Sequence, residues 1–176
     1  MEERGFIRDM LDVKVLILFV AAKAKYPLTL QKIYELCYQD DRLSYFDVSI
    51  AVPQMVESGH LEQLPDGTYI VTQKGAVQEE VTRDSIAFPV MQRALAAGER
   101  FNAQTRRGEF VRSELVEQEN GTCTVRMLLD DDIGNLMKLE LTAPSKTQGR
   151  SLQRAFEQQA EAIYNGIMKQ LLRQPE

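Results

Sequence analysis

The chain of 176 residues has very little histidine and cysteine, two residue types that many nucleophilic and zinc-dependent enzymes use. It contains one histidine, His60, and two cysteines, Cys37 and Cys123. A lone histidine has no evident partners for a Ser-His-Asp or Cys-His arrangement. The cysteines form no CxxC motif and no disulfide framework, and no glycine-rich phosphate loop is present. We therefore expect that the protein is not an enzyme and that it has no catalytic residue, metal site or cofactor.

Acidic pairs and runs do not change this expectation. Asp130-Asp131-Asp132 precedes Gly134 but matches no complete calcium-loop spacing, so we interpret it as a solvated turn between two strands. The pairs Asp40-Asp41 and Glu79-Glu80 are interpreted as solvated charges near helix ends.

Long apolar runs and an export signal are also missing. The apolar run from Val15 to Ala22 is far shorter than the roughly 20 residues that span a bilayer. The N-terminal residues include Glu2 and Glu3, where a signal peptide requires positive charge. We expect a cytoplasmic protein without a membrane partner.

Basic residues are scarce in the first half of the chain. Residues 1–84 contain nine Lys and Arg against fourteen Asp and Glu, whereas residues 85–176 contain twelve of each. The segment 44–58 has no Lys or Arg. Because phosphate neutralisation supplies most of the affinity for nucleic acid, this charge balance argues against DNA binding.

The order of predicted elements in residues 12–83 nevertheless favours DNA binding. An apolar helix is predicted from Asp12 to Lys25, and Thr29 can cap a second, short helix. Ser44 can cap a third helix that Gly59 ends. Two short strands then flank Pro65-Asp66-Gly67, and a further helix begins near Thr72. Three helices followed by a β-hairpin are typical of a winged helix.

The run from Val48 to Leu61, VSIAVPQMVESGHL, resembles the same stretch of bacterial winged-helix regulators of the MarR and PadR type. With the opening Tyr45-Phe46-Asp47 and the C-terminal pattern, the whole chain looks like a Gram-positive family of winged-helix proteins of unknown function. The resemblance implies a bacterial, cytoplasmic, DNA-binding protein without an established target.

The C-terminal half changes from helical to alternating periodicity. Three strands are predicted within 109–117, 122–129 and 137–142, with Asn120-Gly121 as a hairpin turn. Ser145 can cap a long last helix. The predicted fold is α+β: a winged helix-turn-helix in residues 1–83, a helical linker in 84–100, and an antiparallel meander with a long helix in 101–176, for dimerisation or sensing.

Two functions are compatible with this pattern. The first is a homodimeric DNA-binding transcription regulator, in which the linker and C-terminal helices carry the dimer contact. Its candidate DNA contacts are Arg42, Ser44, Tyr45, Ser49, Gln54, Thr68 and Lys74. Several of these have another possible role, since Ser44 can simply cap the helix and Tyr45 lies near its core face.

The second function is protein association through Phe46, Ile50 and Pro53 on the third helix, although these three residues can also pack internally. No convergent polar groups mark a ligand pocket in the C-terminal half, so the sequence identifies no small-molecule effector.

Overall fold

The structure, a computed structural model, describes residues 7–38 and 42–173. It divides into two compact units, Met1–Gln104 and Thr105–Glu176. The predicted α+β layout is confirmed: helices and a short hairpin come first, and a three-stranded antiparallel sheet with one long helix follows. The predicted domain boundaries at residues 83 and 100 stay predictions.

The N-terminal unit begins with three helices, each started by a capping side chain. They are α1 (Met10–Lys23), α2 (Leu30–Cys37) and α3 (Tyr45–Glu57). Asp9 and Thr29 accept backbone N–H groups at the starts of α1 and α2. Ser44 and Asp47 form a reciprocal capping box on α3, and this box satisfies backbone donors that the helix leaves unpaired. The predicted caps Thr29 and Ser44 are confirmed.

A β-hairpin follows α3 directly. Gly59 ends α3 with a φ of 76°, and β1 (Leu61–Gln63) pairs antiparallel with β2 (Tyr69–Val71). Leu28 and Tyr69 exchange two backbone hydrogen bonds of 2.8 and 2.9 Å, which join the segment before α2 to the hairpin. Three helices and this hairpin form the winged helix-turn-helix layout that the sequence predicts.

Helix α1 is the centre of the N-terminal core. Nine of its fourteen residues are buried, and it contacts α2, α3 and the next helix, α4 (Gln73–Thr82). The largest fully buried side chains in this unit include Leu16, Ile17 and Phe19. The apolar side chains around most of α1 are therefore buried within the N-terminal unit.

The helical periodicity after Thr72 predicts that Ala76, Val77, Val81 and Ile86 face inward, and this prediction is wrong for Val77 and Val81. Val77 and Val81 are exposed, whereas Gly75 and Glu79 are buried. Gly75 packs against the His60 carbonyl group, and at 3.6 residues per turn this contact also turns Glu79 inward. Glu79 is only 4% exposed, so its interpretation as a solvated charge is also wrong. Asp40 and Asp41 lie outside the described residues.

Helix α5 (Phe88–Phe110) is longer than the sequence predicts. The sequence predicts that this helix ends at Ala97 and that Gly98 closes it, but Gly98 lies inside α5 and that prediction is wrong. Val90, Ala94 and Gly98 form the buried stripe of α5 at a spacing of four residues. Pro89 stands in the first turn, where its missing N–H is not needed.

The C-terminal unit contains the predicted meander, in the order β3 (Val111–Glu117), β4 (Cys123–Asp130) and β5 (Asn135–Ala143). Gly121 has a φ of 80° in the first turn. In the second turn, the Asp131 carboxylate accepts the backbone N–H groups of Ile133 and Gly134. The interpretation of the aspartate run as a turn between strands is confirmed.

The last helix, α6 (Lys146–Leu171), covers the sheet with the first part of its apolar stripe. Ser145 caps it, and Phe156 and Ala160 are fully buried against β3 and β4. The helix bends at Gln159, which has non-helical φ and ψ angles. The stripe then continues into four exposed residues: Ile167, Met168, Leu171 and Leu172.

None of the helices in the part of the chain that the structure describes has both the length and the apolar composition needed to cross a bilayer. Within residues 7–38 and 42–173, no group of three or more His, Cys, Asp or Glu side chains could hold a metal ion.

Candidate nucleic-acid interface

Helix α3 has one buried and one exposed face. Val48, Ala51, Val52 and Met55 face the core of the N-terminal unit. On the other side, Phe46 is 69% exposed, and Pro53, Gln54 and Glu57 are exposed as well. A helix seated by four buried side chains presents its outer face as a rigid surface.

Five of the predicted contact residues lie along this helix or just before it. Arg42 and Ser44 precede α3, and Tyr45, Ser49 and Gln54 belong to it. Thr68 lies in the hairpin, and Lys74 is the second residue of α4. The fold thus distributes the predicted residues over α3 with the segment before it, the hairpin and α4. Only Tyr45, Ser49 and Gln54 belong to the same helix.

The candidate hydroxyl groups already take part in local hydrogen bonds. Ser44 Oγ lies 2.6 Å from the Asp47 carboxylate and accepts the Asp47 backbone N–H. Ser49 Oγ donates to the Phe46 carbonyl at 2.7 Å, and Thr68 Oγ1 donates to Asp66 at 2.6 Å. These bonds stabilise a helix start, a helix turn and the hairpin turn, so contact with a ligand would have to share or replace them.

Tyr45 lies at the edge of an aromatic row. Its ring packs edge-to-face on Tyr34 with centroids 5.6 Å apart, and Tyr34 contacts Tyr38 at 5.4 Å. Tyr45 and Tyr38 are both exposed on their other sides. The row holds the Tyr45 ring in place beside the first turn of α3.

Arg42 and Lys74, the two basic residues among the predicted DNA contacts, lie at opposite ends of α3. Arg42 is exposed and precedes the helix start. The Lys74 ammonium donates to the Ser58 carbonyl at 2.6 Å, where a cation is favoured by the helix C-terminus. The thirteen residues of α3 span about 20 Å, so positive charge is placed at the two ends of the helix and not along it.

Arg8, another basic residue of this unit, already pairs with Asp12 in the first turn of α1. Arg8 Nε lies 3.1 Å from the Asp12 carboxylate, and the Arg8 backbone N–H donates to it at 2.9 Å. Burial favours the neutral form of Asp12, but the hydrogen bonds from Arg8 outweigh it and lower the pKa of Asp12. Arg8 is therefore engaged within the protein.

A pocket lies between α1, the end of α3 and α4. Nine of the described residues line it, and they include Lys14 and His60, neither of which the sequence predicts as a site residue. The residues come from elements that are distant along the chain. No local sequence motif predicts that these residues line a pocket. The pocket is recognised only from the packing of the three helices in the structure.

A family model described as a "Domain of unknown function (DUF4364)" matches residues 13–171, which is most of the chain and includes both units. No curated protein and no solved structure matches it.

Proposed function

We propose that this chain, which belongs to the DUF4364 family, is a bacterial, cytoplasmic winged-helix regulator that binds DNA as a homodimer. The observation that carries the proposal is the exposed outer face of α3, followed directly by the β1–β2 hairpin. In a winged helix, the helix in this position enters the major groove and the hairpin lies over the flanking backbone. The resemblance to the MarR and PadR type belongs to the same proposal.

The outer face of α3 offers groups that can read base edges without positive charge. The Gln54 amide can donate to and accept from adenine, and Phe46 can contact the methyl group of thymine. Ser49 can contribute a hydroxyl group if it exchanges its bond to the Phe46 carbonyl. We therefore expect a preference for A·T-containing sites.

Phosphate contacts are expected at the two ends of α3. Arg42 would contact one strand near the helix start. Lys74 would contact the backbone near the helix end, because its ammonium retains two donors beyond the bond to Ser58. A surface with so few cations makes few phosphate contacts, so binding should depend only weakly on salt.

A second copy of the chain is the proposed partner of the exposed end of α6. Ile167, Met168, Leu171 and Leu172 continue the stripe that covers the sheet and are all exposed, Leu171 to 76% and Leu172 to 74%. Equivalent apolar patches meet across a two-fold axis in most homodimers, and paired winged helices then read paired half-sites.

Selection from a randomised DNA duplex pool at low salt tests this function. We expect the wild type to enrich a motif and Phe46→Ala to bind it about tenfold more weakly, since burial of a phenylalanine side chain contributes roughly 1.5–3 kcal/mol. Phe88→Ala is the matched control, because Phe88 is 66% exposed in the same unit but lies outside α3. Failure of the wild type to enrich any motif would refute sequence-specific binding.

Protein association is the second candidate, and the apolar character of the same face favours it. Phe46 and Pro53 are exposed, Ile50 is half-buried, and α3 carries no Lys or Arg. Such a face could bind an apolar surface of another protein. Absence of DNA binding at low salt would favour this function over the first.

A further inference from the structure

An apolar cavity of about 390 Å³ lies within the N-terminal unit, between α1, the end of α3, the start of β1 and α4. Val15 and Leu18 from α1 and Met55 from α3 form its buried apolar surface. Leu11 lines it as an exposed residue. The volume is near the lower end of the range for small-molecule sites, about 300–1,000 Å³.

Among the residues that the structure describes, Lys14 and His60 are the titratable groups that line the cavity, and no acidic residue lines it. Lys14 is half-buried, and no carboxylate of the residues that the structure describes lies within 4 Å of its ammonium. A half-buried ammonium beside an apolar surface, with no counter-charge among the described residues, favours an anion at this position.

His60 lines the same cavity as Lys14. Its Nδ1 lies 2.8 Å from Ser58 Oγ, which holds the ring in place. Burial, with the positive charges of Lys74 and Lys14, lowers the pKa of His60. The Lys74 ammonium, which donates to the carbonyl of the lining residue Ser58 at 2.6 Å, places a second positive charge beside the cavity.

We propose that this cavity binds a small amphiphilic carboxylate, such as a medium-chain fatty acid. Its hydrocarbon part would lie on Val15, Leu18 and Met55, and its carboxylate would accept hydrogen bonds from the Lys14 ammonium. A neutral imidazole at His60 can donate a further hydrogen bond in one of its tautomers. Ser58, Gln78 and Thr82 also line the cavity, but the Ser58 and Thr82 hydroxyl groups already donate to the Met55 and Gln78 carbonyl groups, so a sugar or a nucleotide fits less well.

Titration calorimetry with octanoate, octanol and octyltrimethylammonium tests the proposed ligand class. We expect octanoate to bind, octanol to bind at least about tenfold more weakly, and the cation not to bind. Equal affinity for octanoate and octanol would overturn the role of Lys14. No binding of octanoate by the wild type at millimolar concentration would overturn the site.

Two variants with matched controls locate the site. Lys14→Met removes the charge and should lower octanoate affinity about tenfold, whereas Lys25→Met, at an exposed position after α1, should leave it unchanged. Leu11→Glu adds a carboxylate to the cavity lining and should abolish binding, whereas Val77→Glu on the outer face of α4 should not. Unchanged binding by both Lys14→Met and Leu11→Glu would refute this location. The test is independent of whether the protein binds DNA.

Discussion

A β-carbon placed on Gly75 would lie 2.2 Å from the carbonyl oxygen of His60. The first turn of α4 is therefore in direct contact with the backbone that starts the hairpin. The Thr72 backbone N–H also donates to this oxygen at 3.1 Å, and the Thr72 hydroxyl donates to the Gly59 carbonyl at 2.7 Å. Because position 75 is a glycine, α4 can lie this close to the end of α3 and the start of the hairpin.

Gly75→Ala should destabilise the protein by about 2–3 kcal/mol, because backbone atoms must move to admit the methyl group. Urea unfolding at neutral pH measures the change. Gly108→Ala is the matched control in α5, where nothing lies within 4 Å of an added β-carbon, and it should be neutral or stabilising by up to about 1 kcal/mol. Equal effects of the two substitutions would contradict the close contact.

Lys23→Met should destabilise the protein by about 2 kcal/mol, because it leaves the buried Glu79 carboxylate without its cation. The Lys23 ammonium lies 3.5 Å from Glu79 Oε1, and this oxygen accepts no hydrogen bond among the described residues. Glu79→Gln removes the buried charge and should cost less. Thermal unfolding of both variants, with Glu80→Gln as the exposed control, measures the difference. A larger loss for Glu79→Gln than for Lys23→Met would contradict this account.

The ion pair between Arg8 and Asp12 should stabilise the protein at neutral pH but not in strong acid. The pKa of Asp12 is lowered from its usual value of 3.8, so its contribution is present above that value and is lost as the pH falls through the lowered pKa. Asp12→Asn should therefore be less stable than wild type at pH 7, and the difference should shrink below pH 3.8. Denaturant titrations at several pH values, with Asp84→Asn as an exposed control, test this. A difference that does not change with pH would refute it.

Leu171→Glu should disrupt the proposed dimer, because it places a charge in the exposed apolar end of α6. Leu171 is 76% exposed, and Ile133, which is 97% exposed in the turn between β4 and β5, provides the matched control as Ile133→Glu. Sedimentation at about 50 μM, a concentration suited to moderate interfaces, should give a dimer for wild type and Ile133→Glu and a monomer for Leu171→Glu. A monomeric wild type would rule out the dimer at this concentration.

Features that depend on local chemistry could be predicted from the sequence. The Ser44 cap, the end of α3 at Gly59 and the hairpin turns at Gly67 and Gly121 each follow from the backbone preferences of a few adjacent residues. The α+β layout follows from the change between helical and alternating periodicity.

Features that depend on tertiary packing could not be predicted in the same way. The buried face of α4 is determined by the contact between Gly75 and His60. Val77 and Val81 are therefore exposed, although the sequence predicts that they face inward. Gly98 does not end α5, because Phe101 beyond it packs against the core and the Asn102 side chain bonds to backbone groups of Lys23 and Lys25. The cavity beside Lys14 exists only after residues from distant elements have packed.

The most direct measurement of the central claim is a salt titration of DNA affinity, using the selected duplex and the variants Arg42→Ala and Lys74→Ala. We expect wild-type binding with a slope of log K against log salt no steeper than about −4, because few phosphates are contacted. Each variant should bind all sequences more weakly and flatten the slope by about one unit, whereas Lys138→Ala, exposed on β5, should match wild type. Wild-type protein that binds no duplex at low salt, or Arg42→Ala and Lys74→Ala variants that retain the wild-type affinity and slope, would contradict the proposed DNA-binding face.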